Sequence, residues 1–434
     1  MYALKPHAVY ALKALRDDTD AAARMERMLG AIGVADDDVR WFERSEAPEV
    51  VETLTAWEPE HDADSALPWQ HQRALVFTQI QLDGTAADDP VMTQAPDSVP
   101  SAELRAALGY LQLVRDTHNP TNDRQADLVC WNTQDFGLMV GCPHGCQYCG
   151  HGRNDKMIVV GANVAQYMSR VVEPTILAHP GQRCFRLLGW GADIATFEPE
   201  YGAFESFLST LAAYDCYGYF HTAGDNVDWV EQLSDRDRLI GVWSLTTEAG
   251  GDIIEPGAPS PAARIAAARK VQDWGVPVRF KFKPTIPLRN WREEYSREVR
   301  RIFEHTRPES IGFAVLMWMP FERMAAMIDL EALDPEFVDA ARSAADELRN
   351  VRTGPFPHHM RAQVYRFLID EIRSHDPAVP IYVSTESNRM WEDLREKLGQ
   401  NPRSFICGCN PIEAPGPRML VSPTLNCSTF AGRS

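Results

Sequence analysis

The chain has 434 residues, 44% of them apolar and 24% charged, a balance that excludes intrinsic disorder, collagen-like repeats and coiled coil. With 43 Lys+Arg against 61 Asp+Glu the net charge is −18, which repels polyanions at long range and argues against nucleic acid as a partner. No apolar run reaches membrane-span length and the first residues carry no apolar leader region, so the expectation is a cytoplasmic protein with no membrane partner.

Residues 1–127 read as an N-terminal accessory region. By residue 130 the chain holds 23 acidic and 11 basic residues, so most of the negative charge lies here. Ala21–Ile32 has helical spacing, with Met25, Met28 and Leu29 on one side. The acidic stretches 36–38 and 62–64 read as solvated loops, and the Asp-, Ala- and Pro-rich stretch 84–100 as a linker or surface excursion. Ser101–Asp116 reads as a helix with Ser101 as N-cap and Glu103 in its first turn.

From about residue 128 short apolar runs alternate with helical patterns. The predicted strands are Phe136–Val140, Arg183–Leu188, Tyr217–Thr222, Leu239–Leu245, Val278–Lys283 and Ile311–Met317. The predicted helices are Val164–Ile176, Tyr201–Tyr214, Val227–Leu233, Ala262–Trp274 and Trp291–His305. Repeated β-α units imply a parallel sheet, and six of them suit an α/β fold of the partial (β/α)6 TIM-type barrel kind. We place the barrel at 128–330. A C-terminal extension at 331–400 carries a helix, Met360–Ile372, and a last strand, Ile381–Ser384. An irregular Pro- and Gly-rich tail with cysteines follows at 401–434.

Nine cysteines are too few for a disulfide framework in a chain this long, so metal binding, catalysis or core packing are the readings open to them. The strongest signal is Gly141-Cys142-Pro143-His144-Gly145-Cys146-Gln147-Tyr148-Cys149, directly after the first strand of the array. Cys142, Cys146 and Cys149 have a Cys-x3-Cys-x2-Cys spacing. Three thiolates on one loop can hold three irons of a 4Fe-4S cluster and leave the fourth open to an exogenous chelate. Gly141 and Gly145 let the loop wrap closely, and Tyr148 offers a face to a planar ligand. The competing reading is a zinc site, closed by His144 or His151, in a non-enzymatic protein.

The triad, its position after the first strand and the β-α array resemble radical S-adenosylmethionine (SAM) enzymes. Further segments are similar to the spore photoproduct lyase branch. These are Trp243-Ser244-Leu245-Thr246-Thr247-Glu248, Ile254-Glu255-Pro256-Gly257, Arg264-Ile265-Ala266-Ala267-Ala268, Pro284-Thr285-Ile286-Pro287 and Trp291-Arg292-Glu293-Glu294-Tyr295. The resemblance implies a 4Fe-4S cluster and SAM as cofactors, an external flavodoxin- or ferredoxin-type electron donor, and hydrogen abstraction by a 5′-deoxyadenosyl radical. It implies Tyr148 near the adenine, Ser244 and Thr246 at a SAM-binding strand end, and Gly189 and Gly191 as a backbone platform for the methionine amino group.

Two departures bear on the substrate. No cysteine stands before Ala192-Asp193-Ile194, where the family has the thiol that returns hydrogen to the product, and no lysine precedes Val227-Asp228. Both argue against reversal of a thymine photoproduct in DNA; the expectation is instead a small polar substrate, nucleoside- or sugar-like, in specialised metabolism.

The tail cysteines Cys407, Cys409 and Cys427 are candidate catalytic thiols or ligands of an auxiliary iron–sulfur cluster. Arg279, Lys281 and Lys283 alternate and so share a face. In the barrel interior Lys281 would meet the SAM carboxylate, and Arg279 and Lys283 an anionic substrate. Trp190 and Glu386, near strand ends, complete the substrate candidates. His358-His359 reads as a surface loop, Cys184 as buried, and Met317-Trp318-Met319 as core.

Overall fold

The computed structural model describes residues 4–58, 69–117, 127–149, 156–412, 414–421 and 428–430. Its centre is a 12-stranded sheet. Three strands come from the N-terminal region: β1 (Val9–Leu12), β2 (Val39–Phe42) and β3 (Ala74–Thr78). Next are β4 (Val114–Thr117), β5 (Leu128–Val129), β6 (Thr133–Val140) and β7 (Met157–Gly161). The array continues with β8 (Cys184–Trp190), β9 (Tyr217–Thr222), β10 (Leu239–Ser244), β11 (Val278–Thr285), β12 (Ile311–Val315) and β13 (Ile381–Val383). A bridge β14 (Glu386–Ser387) pairs with β5, and β15 (Met419–Val421) pairs with β16 (Ser428–Phe430).

The sheet order is β13-β12-β11-β10-β9-β8-β6-β7-β3-β1-β2, with β4 paired to β6. From β6 through β8 to β13 every pair is parallel. The sheet does not close on itself, so the α/β fold is an open, partial barrel of the expected type. The N-terminal strands lie in the same sheet: β7 runs antiparallel to β6 and is followed by parallel β3, β1 and β2.

Local chemistry sets the helices. Asp18 caps Thr19–Ile32 by accepting from the Ala21 amide, and Gly33 ends it at φ 70°. Ser260 caps Pro261–Asp273, with proline at the first position. Trp291–His305 buries Trp291, Tyr295, Val299 and Ile302, a stripe at helical spacing. Each such side chain contributes about 1.5–3 kcal/mol by leaving water.

Strand alternation separates two environments. On β11, Val278, Phe280 and Phe282 are buried, and Phe280 lies by Trp243 in an aromatic layer with Phe220, Phe204 and Trp229. Arg279, Lys281 and Lys283 point the other way, into the barrel, with Arg186 of β8 and His221 of β9.

Three expectations change. The helix from Ser101 stops at Ala107, and Val114–Thr117 is a strand. Gly109 forces the break: its φ is 85°, and a Cβ there would collide with the Gln79 carbonyl. Ser101 is not the cap, because Pro100 precedes the helix and offers no side-chain bond. The stretch 84–100 contains a short helix, Pro90–Gln94, and a buried Asp89 that pairs with Arg44. The acidic residues 62–64 lie outside the described residues.

Candidate active site

The cysteine loop leaves the C-terminal end of β6. Gly141 and Gly145 take left-handed φ values of 91° and 63°, which let the chain fold back around its own sulfurs. Burial pushes the Cys142 thiol up to about 12 and Cys146 well above its ordinary value; the neighbouring Cys149 adds to both, and Cys142 adds to Cys146.

The loop is clamped by the Glu-Pro-Gly block. Gln147 N donates to Ile254 O at 2.8 Å, and Gly257 N to His144 O at 3.0 Å. A Cβ on Gly257 would meet His144 O at 2.5 Å, so only glycine fits here. The Tyr148 hydroxyl donates to Glu255 Oε1 at 2.7 Å, and Arg264 Nη2 to Glu255 Oε2 at 2.5 Å. Arg264 also reaches Pro259 O and, at 3.1 Å, Ser244 O at the end of β10. Arg73 donates to the Cys142 carbonyl. One hydrogen-bonded chain therefore runs from the cysteine loop to the strand end where Ser244 sits.

His144 is committed elsewhere. Its Nε2 lies 2.9 Å from Asp193 Oδ2, which also accepts from Thr222 Oγ1 at 2.7 Å and Ala223 N at 2.9 Å. Asp193 is 6% exposed, and its Oδ1 has no hydrogen-bond partner among the described residues. Among the described residues no three His, Cys, Asp or Glu side chains converge on a single ion. The other candidate zinc ligand, His151, lies outside the described residues. Three thiols with no fourth ligand among the described residues, beside an unsatisfied carboxylate oxygen, fit a cluster with one open iron and a cationic amino group next to it.

The remaining candidates fall around this loop. Val140, before Gly141, pairs with Trp190 of β8, so Gly189, Trp190 and Gly191 run alongside the loop's first residues; Gly191 has φ 66°. Ser244 Oγ bonds His221 Nε2 at 2.9 Å. Burial, with Lys281, Arg186 and Lys283 nearby, holds His221 well below the usual imidazole range, so it is neutral. Thr246 is buried and bonded to the Tyr295 hydroxyl. Close packing against the helix that begins at Glu248 holds it there.

The tail enters the barrel. Lys281 Nζ lies 2.9 Å from Cys409 Sγ, and Arg279 Nη1 donates to Gly408 O at 3.1 Å. The Cys407 thiol and Lys281 hold Cys409 well below the ordinary thiol range, as a thiolate, while burial pushes Cys407 well above it. Arg183 N and Cys184 N both donate to Pro411 O, which seats the tail under the start of β8. Cys184 is buried, as expected.

Several assignments are corrected by these contacts. Arg279 pairs with Glu309 at 2.9 Å and holds the tail, so it is an anchor and not a substrate contact. Lys281 is matched by Cys409, which takes the charge it would offer to SAM. Glu386 is fully buried: it accepts from Arg361 Nε at 2.7 Å, the Tyr365 hydroxyl at 2.8 Å and Ser387 N at 3.0 Å, which leaves it no role at a substrate. Cys409 lies against Lys281, with the Cys407 thiol beside it. Cys427 lies outside the described residues. His358 opens the helix His358–His375 and pairs with Asp393 at 2.6 Å. Residues not singled out from sequence are Arg186, His221, Trp318 and Ser384; only the alternation of polar groups along β8 and β9 pointed to the first two.

No family model and no curated protein sequence matches the chain. Solved structures do. A mutant of spore photoproduct lyase with bound AdoMet and dinucleoside spore photoproduct aligns with TM-score 0.58 at 15% identity, covering 88% of this chain and 99% of that one. Spore photoproduct lyase complexed with the dinucleoside photoproduct gives the same values, and a cysteine-to-serine mutant of that enzyme aligns equally well at 14% identity. The likeness is one of fold: the chain shares the architecture of spore photoproduct lyase over 88% of its length.

Proposed function

We propose that this chain is a radical SAM enzyme in which Cys142, Cys146 and Cys149 hold a 4Fe-4S cluster. Such a cluster, when reduced with SAM bound, supplies a 5′-deoxyadenosyl radical for abstraction of hydrogen from an unactivated C–H bond. The observation that carries this is the thiol loop at the end of β6, locked by Glu255, Arg264 and Gly257 to the strand end of Ser244.

The chain's own residues bind, orient and exclude water. Tyr148 and Ser244 flank the SAM position, and the backbone at Gly189 and Gly191 runs beside it. Asp193 Oδ1, which has no partner among the described residues, would accept from the methionine ammonium when SAM is bound. Cys409, with Cys407 beside it, is a redox-capable thiolate inside the barrel, and we assign the two a role in completing the reaction by electron or hydrogen transfer. A flavodoxin- or ferredoxin-type protein is the electron source.

The substrate is a small polar molecule, nucleoside- or sugar-like, of specialised metabolism. Supporting this over a DNA lesion are the net charge of −18 and the lack of a hydrogen-returning cysteine before Ala192-Asp193-Ile194. Anaerobically reconstituted protein with dithionite and SAM should form 5′-deoxyadenosine, and a Cys146→Ala variant should form none. Retention of that activity by the variant would falsify the assignment. Release of thymine from a dinucleotide photoproduct would establish the DNA-repair alternative.

A further inference from the structure

Among the described residues the barrel face carries four strong cations, and three are matched. Arg186 pairs with Asp135, Arg279 with Glu309 and Lys281 with Cys409. Lys283 is the exception: no carboxylate pairs with it among the described residues. Its Nζ donates to Ser384 Oγ at 3.0 Å and lies 4.8 Å from the centre of the Trp318 ring.

Trp318 is expected to be core, between Met317 and Met319. Those two are 4% and 7% exposed, but Trp318 is 43% exposed. The reason is its backbone: φ is 70°, a left-handed conformation unusual for a bulky residue, and it turns the indole outward over Lys283. Thr385, next to Ser384, is also left-handed at φ 56°. Strained non-glycine residues of this kind persist where the surrounding structure enforces them, and they gather at functional sites. Lys283, Trp318 and Ser384 stand at or just beyond the C-terminal ends of β11, β12 and β13. The cysteine loop leaves the same end of the barrel from β6.

We infer that Lys283, Ser384 and Trp318 form the substrate's anchoring site, which takes an anionic group, carboxylate or phosphate, attached to a planar ring. The ammonium and hydroxyl bind the anion, and the indole face stacks on the ring. This rests on the radical SAM reading for the word substrate. The site itself rests only on the unmatched cation, its partners and the exposed indole. Burial, together with Lys281 and Arg186, lowers the Lys283 ammonium to about 8, and an arriving anion relieves that repulsion.

The test is calorimetric titration of the intact anaerobic protein with orotate and with uridine 5′-monophosphate, each against its neutral counterpart, uracil and uridine. One anionic probe should bind at least roughly tenfold more tightly than its neutral counterpart, and which of the two does so tells carboxylate from phosphate. Lys283→Met should remove that preference, Lys283→Arg should keep part of it, and Trp318→Ala should weaken both members of the preferred pair. Circular dichroism of each variant controls for folding. Absence of any preference, or a preference unchanged in Lys283→Met, overturns the inference. SAM cleavage, measured in parallel, reports on the cluster reading alone, so either can fail without the other.

Discussion

Arg264 and Glu255 form a buried ion pair, 2.5 Å between Nη2 and Oε2, and through it the cysteine loop is tied to the end of β10. Both side chains are almost fully withdrawn from solvent, so each depends on the other for its charge. Removing one member leaves an uncompensated buried ion, at about 3–5 kcal/mol, whereas replacing both by apolar residues often costs far less. Glu255→Gln should therefore lower the melting temperature sharply and reduce iron content after reconstitution. The double variant Glu255→Met with Arg264→Met should recover stability but not iron retention, because Tyr148 has lost its acceptor. A thermal melt and an iron assay on the three proteins check this.

Asp193 is the second hinge of the site. One oxygen is spent on His144, Thr222 and Ala223, and the other has no partner among the described residues. Asp193→Asn keeps the shape and removes the charge. It should leave iron content near wild type and weaken SAM binding by roughly 10- to 100-fold, the range for a lost charge-assisted hydrogen bond. Equilibrium dialysis with labelled SAM measures it; unchanged affinity would remove Asp193 from the SAM site.

Much of this arrangement is legible in the chain. Tyr217–Thr222 and Trp291–His305 have the same bounds in sequence and structure, because each is a clean periodic run with a clear stop. The strands Val9–Leu12, Val39–Phe42 and Ala74–Thr78 are short and strongly buried in places, so period alone does not separate them from a helix or loop. The Glu-Pro-Gly block is visible as a motif, but its task of clamping the cysteine loop depends on contacts more than 100 residues apart in sequence. The tail reads as irregular, yet Met419–Val421 pairs antiparallel with Ser428–Phe430. What sequence does not display is that its Cys-Gly-Cys turn ends inside the barrel, against Lys281 and Arg279. Trp318 misleads for a different reason: composition places it in the core, and a left-handed backbone places it outside.

The Lys281–Cys409 pair sets a spectroscopic expectation. The Cys407 thiol and Lys281 hold Cys409 well below the ordinary thiol range, so in the apoprotein its thiolate ultraviolet absorbance should appear at lower pH than that of a free thiol and disappear as acid protonates the sulfur. Lys281→Met withdraws the stabilising charge and should move that titration upward. Cys409→Ala should abolish it while leaving the iron bound by Cys142, Cys146 and Cys149 intact. Loss of iron in Cys409→Ala would return the tail to the role of a metal ligand.

Anion binding at Lys283 should depend on pH with a definite sign. The folded ammonium is lowered to about 8 from its ordinary value by burial and by Lys281 and Arg186, with the Cys130 and Cys409 sulfurs opposing them. It is charged below that value and neutral above. Affinity for the preferred anionic probe should be full at neutral pH and fall through pH 8–9, while its neutral counterpart shows no such change. Lys283→Arg, charged throughout, should lose the decline.

The central claim is that three cysteines grip a cluster with one iron left free for SAM. Mössbauer spectroscopy of oxygen-free, iron-57-reconstituted protein, with and without SAM, addresses it directly. The account predicts a cubane in which a single iron site changes its parameters when SAM is added. A fully ligated mononuclear ion in the loop, or a cubane whose four irons are all indifferent to SAM, would contradict it.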